Sequence, residues 1–383
     1  MSTKAKKKIS SKIKPMITRA DLKRIFDTLL SDKLTVSVGG AQLRHFEKKF
    51  SLYHDTKDAL MYANDSIALY AILKDLDIKQ GDEILISSFA EPFLVETILY
   101  AGAKPVFVDC VPGQILMDLD KAKNLMTENV RLLIYSYPFG YGDAVSLRSW
   151  MEQNNCPVVE DVTQALGCRY LLEDQWMPVG TIGDYALFSL SPSRLLTSAK
   201  GAVVLVKDNE KISSLSCARG VEGDRVRFRE KFLPRLDFVP TELEAALALS
   251  QFSVLSKNLQ RRKEITESLQ QLISGSGKDL LLPLSDNFMT NDFFHLLLFP
   301  TYQDKLNAKA SFEQMKINCI EEIDELAYAK YLASQGEAME GNLNSTLDIF
   351  SKLLVLSFPL DASDSLIKKT ASLLTSLGQI NKS

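Results

Sequence analysis

From about residue 60 the apolar positions of the chain change period again and again. Residues 64–78, "NDSIALYAILKDLDI", space their apolar side chains as a helix does, and Asn64 or Asp65 suits its N-terminal cap. The next apolar run, "DEILISS" (82–88), is short and follows the turn "KQGD", which predicts a strand. "PFLVETILYAGA" (92–103) predicts a helix stopped at Gly102, and "KPVFVDC" (104–110) another strand. Strand-like runs recur at 130–138, 156–162, 184–190 and 201–207, with helical stretches near 117–126 and 145–153. Short strands alternating with helices imply crossover connections and a mostly parallel sheet covered on both faces.

After residue 208 the pattern changes. One long helix is predicted over 241–273, followed by a mixed segment with one clear strand, "HLLLFP" (295–300). The expected organisation is a basic, disordered tail at 1–18, a large α/β domain at 19–240, and a smaller α+β domain at 241–383 entered through the long helix. No internal repeat is present.

Composition narrows the function class. At 383 residues, with 46% hydrophobic and 24% charged, the chain has the profile of a soluble globular protein. A net charge of −3 gives no global reason to expect nucleic acid or a membrane. Only "MSTKAKKKISSKIK" is polarised, with six lysines and no acid. It reads as a solvated tail, without the apolar core of a secretory signal. Cys110, Cys156, Cys168, Cys217 and Cys319 are an odd, dispersed set, which argues for free thiols in a reducing cytoplasm. His45, His54 and His295 are too few and too scattered to suggest a metal site.

In open parallel sheets ligands bind at the carboxyl ends of the strands. Three groups are predicted there: Asp65 with Ser66 at a helix start, Glu160 with Asp161 ending a strand, and Ser189 through Arg194 ending another.

Six segments then occur in an order that resembles one family. They are "SVGGAQLRHFEKKF", "ANDSIALYAIL" with "GDEILI", "AGAKPVFVDC", "VVEDVTQALG", "FSLSPSRLLTSAKGAVV" and "TELEAALALSQF". Together they resemble the DegT/DnrJ/StrS family of pyridoxal-phosphate (PLP) dependent nucleotide-sugar aminotransferases. The resemblance implies the aspartate aminotransferase-like fold: a mostly parallel sheet of the seven-stranded type, helices on both faces, and a smaller C-terminal α+β domain. It also implies cofactor-binding positions at Asp65, Ser66, Glu91, Asp161, Gln164, Ser189 and Asp237. By that resemblance Asp161 would hold the pyridine nitrogen, Gln164 would lie beside the ring, and Ser66 and Ser189 would meet the phosphate. The implied partner is a second copy or a related aminotransferase chain, with a nucleotide sugar as ligand.

Four positions depart from the family pattern. Arg194 stands where the family has the lysine that forms the imine with PLP, and a guanidinium is a poor nucleophile and base at neutral pH. Asp65 replaces the glycine of a phosphate turn. Glu91 replaces a ring-stacking aromatic, and Asp237 replaces an asparagine that reaches the phosphate from the neighbouring subunit. These changes predict a homologue that does not bind PLP and serves as a partner or sugar-nucleotide binder. Arg169, Arg225, Arg227 and Arg229 are further cations for a diphosphate, although 225–229 reads more simply as a solvated loop. Three alternatives remain open: an active transaminase with Lys200 as displaced nucleophile, a lysine-free PLP reaction of the sugar 3-dehydratase type, and a structural half of a heteromer.

Overall fold

The computed structural model describes residues 16–31, 34, 40–219, 238–283, 285–317, 319–320 and 343–380. Among the described residues a seven-stranded sheet forms the centre. Its strands are β1 (Ala59–Tyr62), β2 (Glu83–Ser87), β3 (Lys104–Val108), β4 (Val130–Ser136), β5 (Val158–Asp161), β8 (Tyr185–Ser189) and β9 (Ala202–Val206). They lie in the order β1-β9-β8-β5-β4-β2-β3. The pairings from β3 through β8 are parallel, whereas β9 runs antiparallel to both β8 and β1. A small sheet of β6 (Arg169–Leu172), β7 (Gln175–Pro178) and β10 (Phe288–Met289) flanks it.

The strand sequences explain why both faces are covered. Successive side chains of a strand point to opposite faces. Leu85, Leu133, Val158, Ala186 and Phe188 enter one apolar cluster, while Ile84, Ile86, Leu132, Ile134, Val159 and Leu187 enter another. The strands are therefore apolar on both sides; the helix Ala41–Tyr53 packs into the first cluster, and the helices Asp65–Asp75 and Pro92–Tyr100 into the second.

The stretch predicted as one helix over 241–273 is two, Glu242–Ser253 and Leu255–Leu272, broken at Val254 (φ −109°, ψ 4°). Thr241 and Glu244 form a reciprocal capping box at the start of the first. Glu242, which is buried, turns away to accept the Gln42 and Leu43 amides at 2.9 and 3.0 Å, capping the helix Ala41–Tyr53. Beyond this break the two-stranded sheet of β11 (His295–Leu298) and β12 (Leu353–Leu356) packs its own core, including Ile265, Leu269, Phe299, Phe312 and Leu374.

The helix Arg19–Leu29 is capped by Thr18, a residue expected to belong to the tail, and the Met16 carbonyl accepts from Gln251 Nε2 at 3.1 Å. This helix is inverted. Asp21 and Thr28 are its buried side chains, with Gln251 Nε2 donating to Asp21 at 2.7 Å, whereas Leu22, Phe26, Leu29 and Leu30 face outward. Among the described residues no helix is long and apolar enough to cross a membrane.

Candidate functional site

The site lies at the carboxyl ends of the adjacent strands β8, β5, β4 and β2, where the sheet order predicts a crevice. Asp161 ends β5 and Ser189 ends β8. Glu91 precedes Pro92 at the start of the helix Pro92–Tyr100, just after β2. Asn64 supplies the cap of the helix Asp65–Asp75 by accepting from the Ile67 amide at 2.9 Å, so Asp65 is left free to turn toward β8.

Arg194 sits in the loop between β8 and β9 and reaches back across the strand ends. Its Nη2 lies 2.6 Å from Glu91 Oε1 and also contacts Glu91 Oε2. The two side chains are only 10% and 20% exposed. Gln164 joins the pair: its Nε2 donates to Glu91 Oε1, and its Oε1 accepts from the Phe139 amide at 2.5 Å. Phe139 holds a left-handed conformation (φ 55°, ψ 21°), a backbone state that bulky residues rarely adopt and that recurs at functional sites.

Asp65 faces two hydroxyls. Ser189 Oγ and Ser191 Oγ donate to the same oxygen, Asp65 Oδ2, at 3.0 and 2.9 Å. Asp65 Oδ1 and Arg194 Nε are buried with no hydrogen-bond partner. Asp161 accepts from the Thr163 amide and hydroxyl at 3.2 and 2.7 Å.

Electrostatically this is one cation among three carboxylates. Burial would pull the Arg194 guanidinium down, but Glu91, Asp65 and Asp161 outweigh it and hold the group above its ordinary value. Burial pushes the Asp65 carboxyl up to about 6, against Arg194 and the two serines. Burial and the Glu91 charge push Asp161 up to about 6 as well. The space left between Thr163, Gln164, Ser189, Arg194, Phe293 and Phe294 is about 10 Å³, room for about one water molecule.

The structure thus brings Asp65, Glu91, Asp161, Gln164, Ser189 and Arg194 together. Ser66 is half-buried at the helix start beside them. Lys200 is exposed in the turn before β9. Arg169 is drawn to the small sheet, where its Nη1 donates to the Trp176 carbonyl at 3.3 Å. Asp237, Arg225, Arg227 and Arg229 lie outside the described residues. Sequence reasoning placed Ser191 within the strand-end group Ser189 through Arg194 but gave its hydroxyl no role, although its spacing from Ser189 places both hydroxyls in one turn. It missed the Phe139 amide, which no local pattern announces. Cys110, Cys156 and Cys168 are buried free thiols, and Cys319 is buried as well. Among the described residues no cluster of three His, Cys, Asp or Glu is placed to hold a metal ion.

The profile of the DegT/DnrJ/EryC1/StrS aminotransferase family matches residues 15–370, and the chain belongs to that family. It is 25% identical over 253 residues to the GDP-perosamine synthase of Caulobacter vibrioides, covering 66% of this chain and 67% of that one. It is 26% identical over 297 residues to the UDP-4-amino-4-deoxy-L-arabinose–oxoglutarate aminotransferase of Shewanella sediminis, covering 74% of each. In fold it is similar to the putative sugar aminotransferase Spr1654 of Streptococcus pneumoniae, with a TM-score of 0.83, 21% identity, and coverage of 97% and 98%.

Proposed function

We propose that this chain is a non-catalytic member of the nucleotide-sugar aminotransferases, acting in sugar-nucleotide or surface-polysaccharide biosynthesis as a binding or partner subunit. The observation that carries this reading is the Arg194–Glu91 ion pair, set among Asp65, Asp161 and Gln164.

The residues at the strand ends do not fit pyridoxal phosphate. Such a cofactor needs an amine that can lose its proton and a flat surface beside its ring. It also needs an anion-accepting turn. Arg194 is held protonated by three acids. Glu91 and Gln164, at the positions the family resemblance assigns to the ring, are bonded to each other, and Glu91 is bonded to Arg194. Asp65 would repel a phosphate by about 4 kcal/mol per charge at about 4 Å and an effective dielectric of 20. The small cavity between Thr163, Gln164, Ser189, Arg194, Phe293 and Phe294 holds about one water. No catalytic step through the cofactor follows from this arrangement.

The displaced-nucleophile reading gains no support from Lys200, which is exposed. The partner-subunit reading does have an observation in its favour. The outward apolar face of the helix Arg19–Leu29 is the kind of surface that another chain covers, whether a second copy or an active relative.

The test is turnover. With a nucleotide-linked 4-keto sugar, an amino donor and added PLP, the purified chain is expected to form no amino sugar. Turnover above background that disappears on Lys200→Ala would overturn the proposal in favour of a displaced amine.

A further inference from the structure

We propose that Asp65 is an internal anion: its carboxylate fills a built anion cradle formed by the Ser189 and Ser191 hydroxyls, the Arg194 guanidinium and the first turn of the helix Asp65–Asp75, and thereby shuts phosphoryl groups out of it. This rests on the reading above, in which the site takes no phosphorylated cofactor, and names the residue that closes the place.

Three features bear on the Asp65 carboxylate. Two hydroxyls from one turn, Ser189 and Ser191, donate to a single oxygen, Asp65 Oδ2, at 3.0 and 2.9 Å. That is the arrangement in which hydroxyl donors hold one oxygen of a phosphate or carboxylate. The helix Asp65–Asp75 is 11 residues long, and its first turn carries backbone N–H groups that have no intrahelical acceptor. Arg194 brings a permanent positive charge close enough to stabilise the Asp65 anion. Its side chain is nine-tenths buried, and its Nε has no partner.

The second Asp65 oxygen is informative for the same reason. Oδ1 is buried and accepts from no described group of the chain, so the carboxylate matches only part of the donor set around it. A side chain shaped by its own packing needs would not strand an acceptor in this way, because an unmet buried acceptor is destabilising. A carboxylate borrowed to neutralise a cradle built for a larger anion would. Glu91, meanwhile, takes the Nη2 end of Arg194 and leaves Nε unbonded.

The experiment uses the full chain and inorganic phosphate, titrated at matched ionic strength against chloride, with calorimetry and thermal unfolding as readouts. Asp65→Ala empties the cradle and is expected to bind phosphate saturably and at least tenfold more tightly than the wild type. Ser189→Ala and Ser191→Ala, added to that variant, are expected to abolish the gain. Asp65→Asn keeps the cradle filled and is expected to bind no better than wild type. Where Asp65→Ala does not fold by near-ultraviolet circular dichroism, Asp65→Ser carries the same readout.

A folded Asp65→Ala or Asp65→Ser protein with no gain over wild type overturns the proposal. So does a gain that survives loss of both serines. Phosphate carries no aldehyde, so an imine formed by the wild type with PLP at some lysine would overturn the functional reading and leave a positive phosphate result standing.

Discussion

Arg194 and Glu91, 103 residues apart in sequence, meet as a single buried ion pair with Nη2 2.6 Å from Oε1. The family resemblance implies a departure at each. The two compensate each other, because either charge buried without the other is costly. Arg194→Met leaves Glu91, Asp65 and Asp161 facing one another without a cation and is expected to cost about 3–5 kcal/mol. Glu91→Gln leaves Arg194 two other acids and is expected to cost about 1–3 kcal/mol. The double variant is expected to recover about 1–3 kcal/mol relative to the sum. Urea unfolding of the four proteins measures this, and strict additivity would deny the coupling.

Four buried groups shape part of the acid response of the fold. Asp65 and Asp161 have folded values raised to about 6, so each contributes stability that is present below the ordinary carboxylate value and lost as pH rises through about 6. Raising a carboxyl from its ordinary 3.8 to about 6 corresponds to about 3 kcal/mol per group. His54 and His295 are pulled down to about 4, chiefly by burial, so their contribution is lost as pH falls from about 6.5 through 4. Among these four groups the two effects oppose each other between pH 6.5 and about 4. Asp161→Asn removes one aspartate contribution. Its melting temperature is therefore expected to drop more steeply than that of wild type between about pH 7 and about pH 5. An unchanged pH slope would show that Asp161 does not titrate in this window.

Arg194→Lys places an amine in the loop between β8 and β9, but not a cofactor site. Glu91 and Asp161 remain to pair with the new ammonium, and Asp65 still fills the serine hydroxyls. The single variant is expected to show no imine absorbance with PLP and no transamination. Recovery of either by this one change would mean that Glu91 and Asp65 yield readily to the cofactor.

The helix Arg19–Leu29 turns Leu22, Phe26, Leu29 and Leu30 outward while burying Asp21 and Thr28. Phe26→Glu combined with Leu30→Glu is expected to reduce the assembled mass in light scattering. It should change the stability of the isolated protomer by no more than about 0.5 kcal/mol per substitution, because neither side chain is buried in the chain's own fold. An unchanged mass would locate any interface elsewhere.

Much of this architecture is legible in the sequence because the strands of a sheet buried on both faces are nearly continuous apolar runs. Residues 83–87, 104–108 and 185–189 stand out for that reason. The hairpin of β6 and β7 does not, since its turn is Glu173–Asp174, both with positive φ (48° and 63°), and carries neither of the usual glycine or asparagine signals. The break at Val254 is hidden because apolar spacing continues across it. Glu160, expected beside Asp161 at the strand end, is instead taken up by structure. It accepts from the Ile182 and Gly183 amides at 2.7 Å each and from Tyr137 Oη at 2.8 Å. At the site, Arg194, Glu91 and Asp65 are legible one by one. Their pairing is not, because a contact across 103 residues leaves no local period to read.

The central question is whether these strand ends still accept the family's cofactor. The decisive measurement is an ultraviolet–visible titration of the wild-type protein with PLP, followed by borohydride reduction and peptide mapping. With Arg194 and Glu91 paired and Asp65 in the serine cradle, no saturable spectral change is expected up to millimolar PLP, and no lysine should be reduced to a stable adduct. A saturable imine band fixed at a single lysine, Lys200 above all, would contradict it.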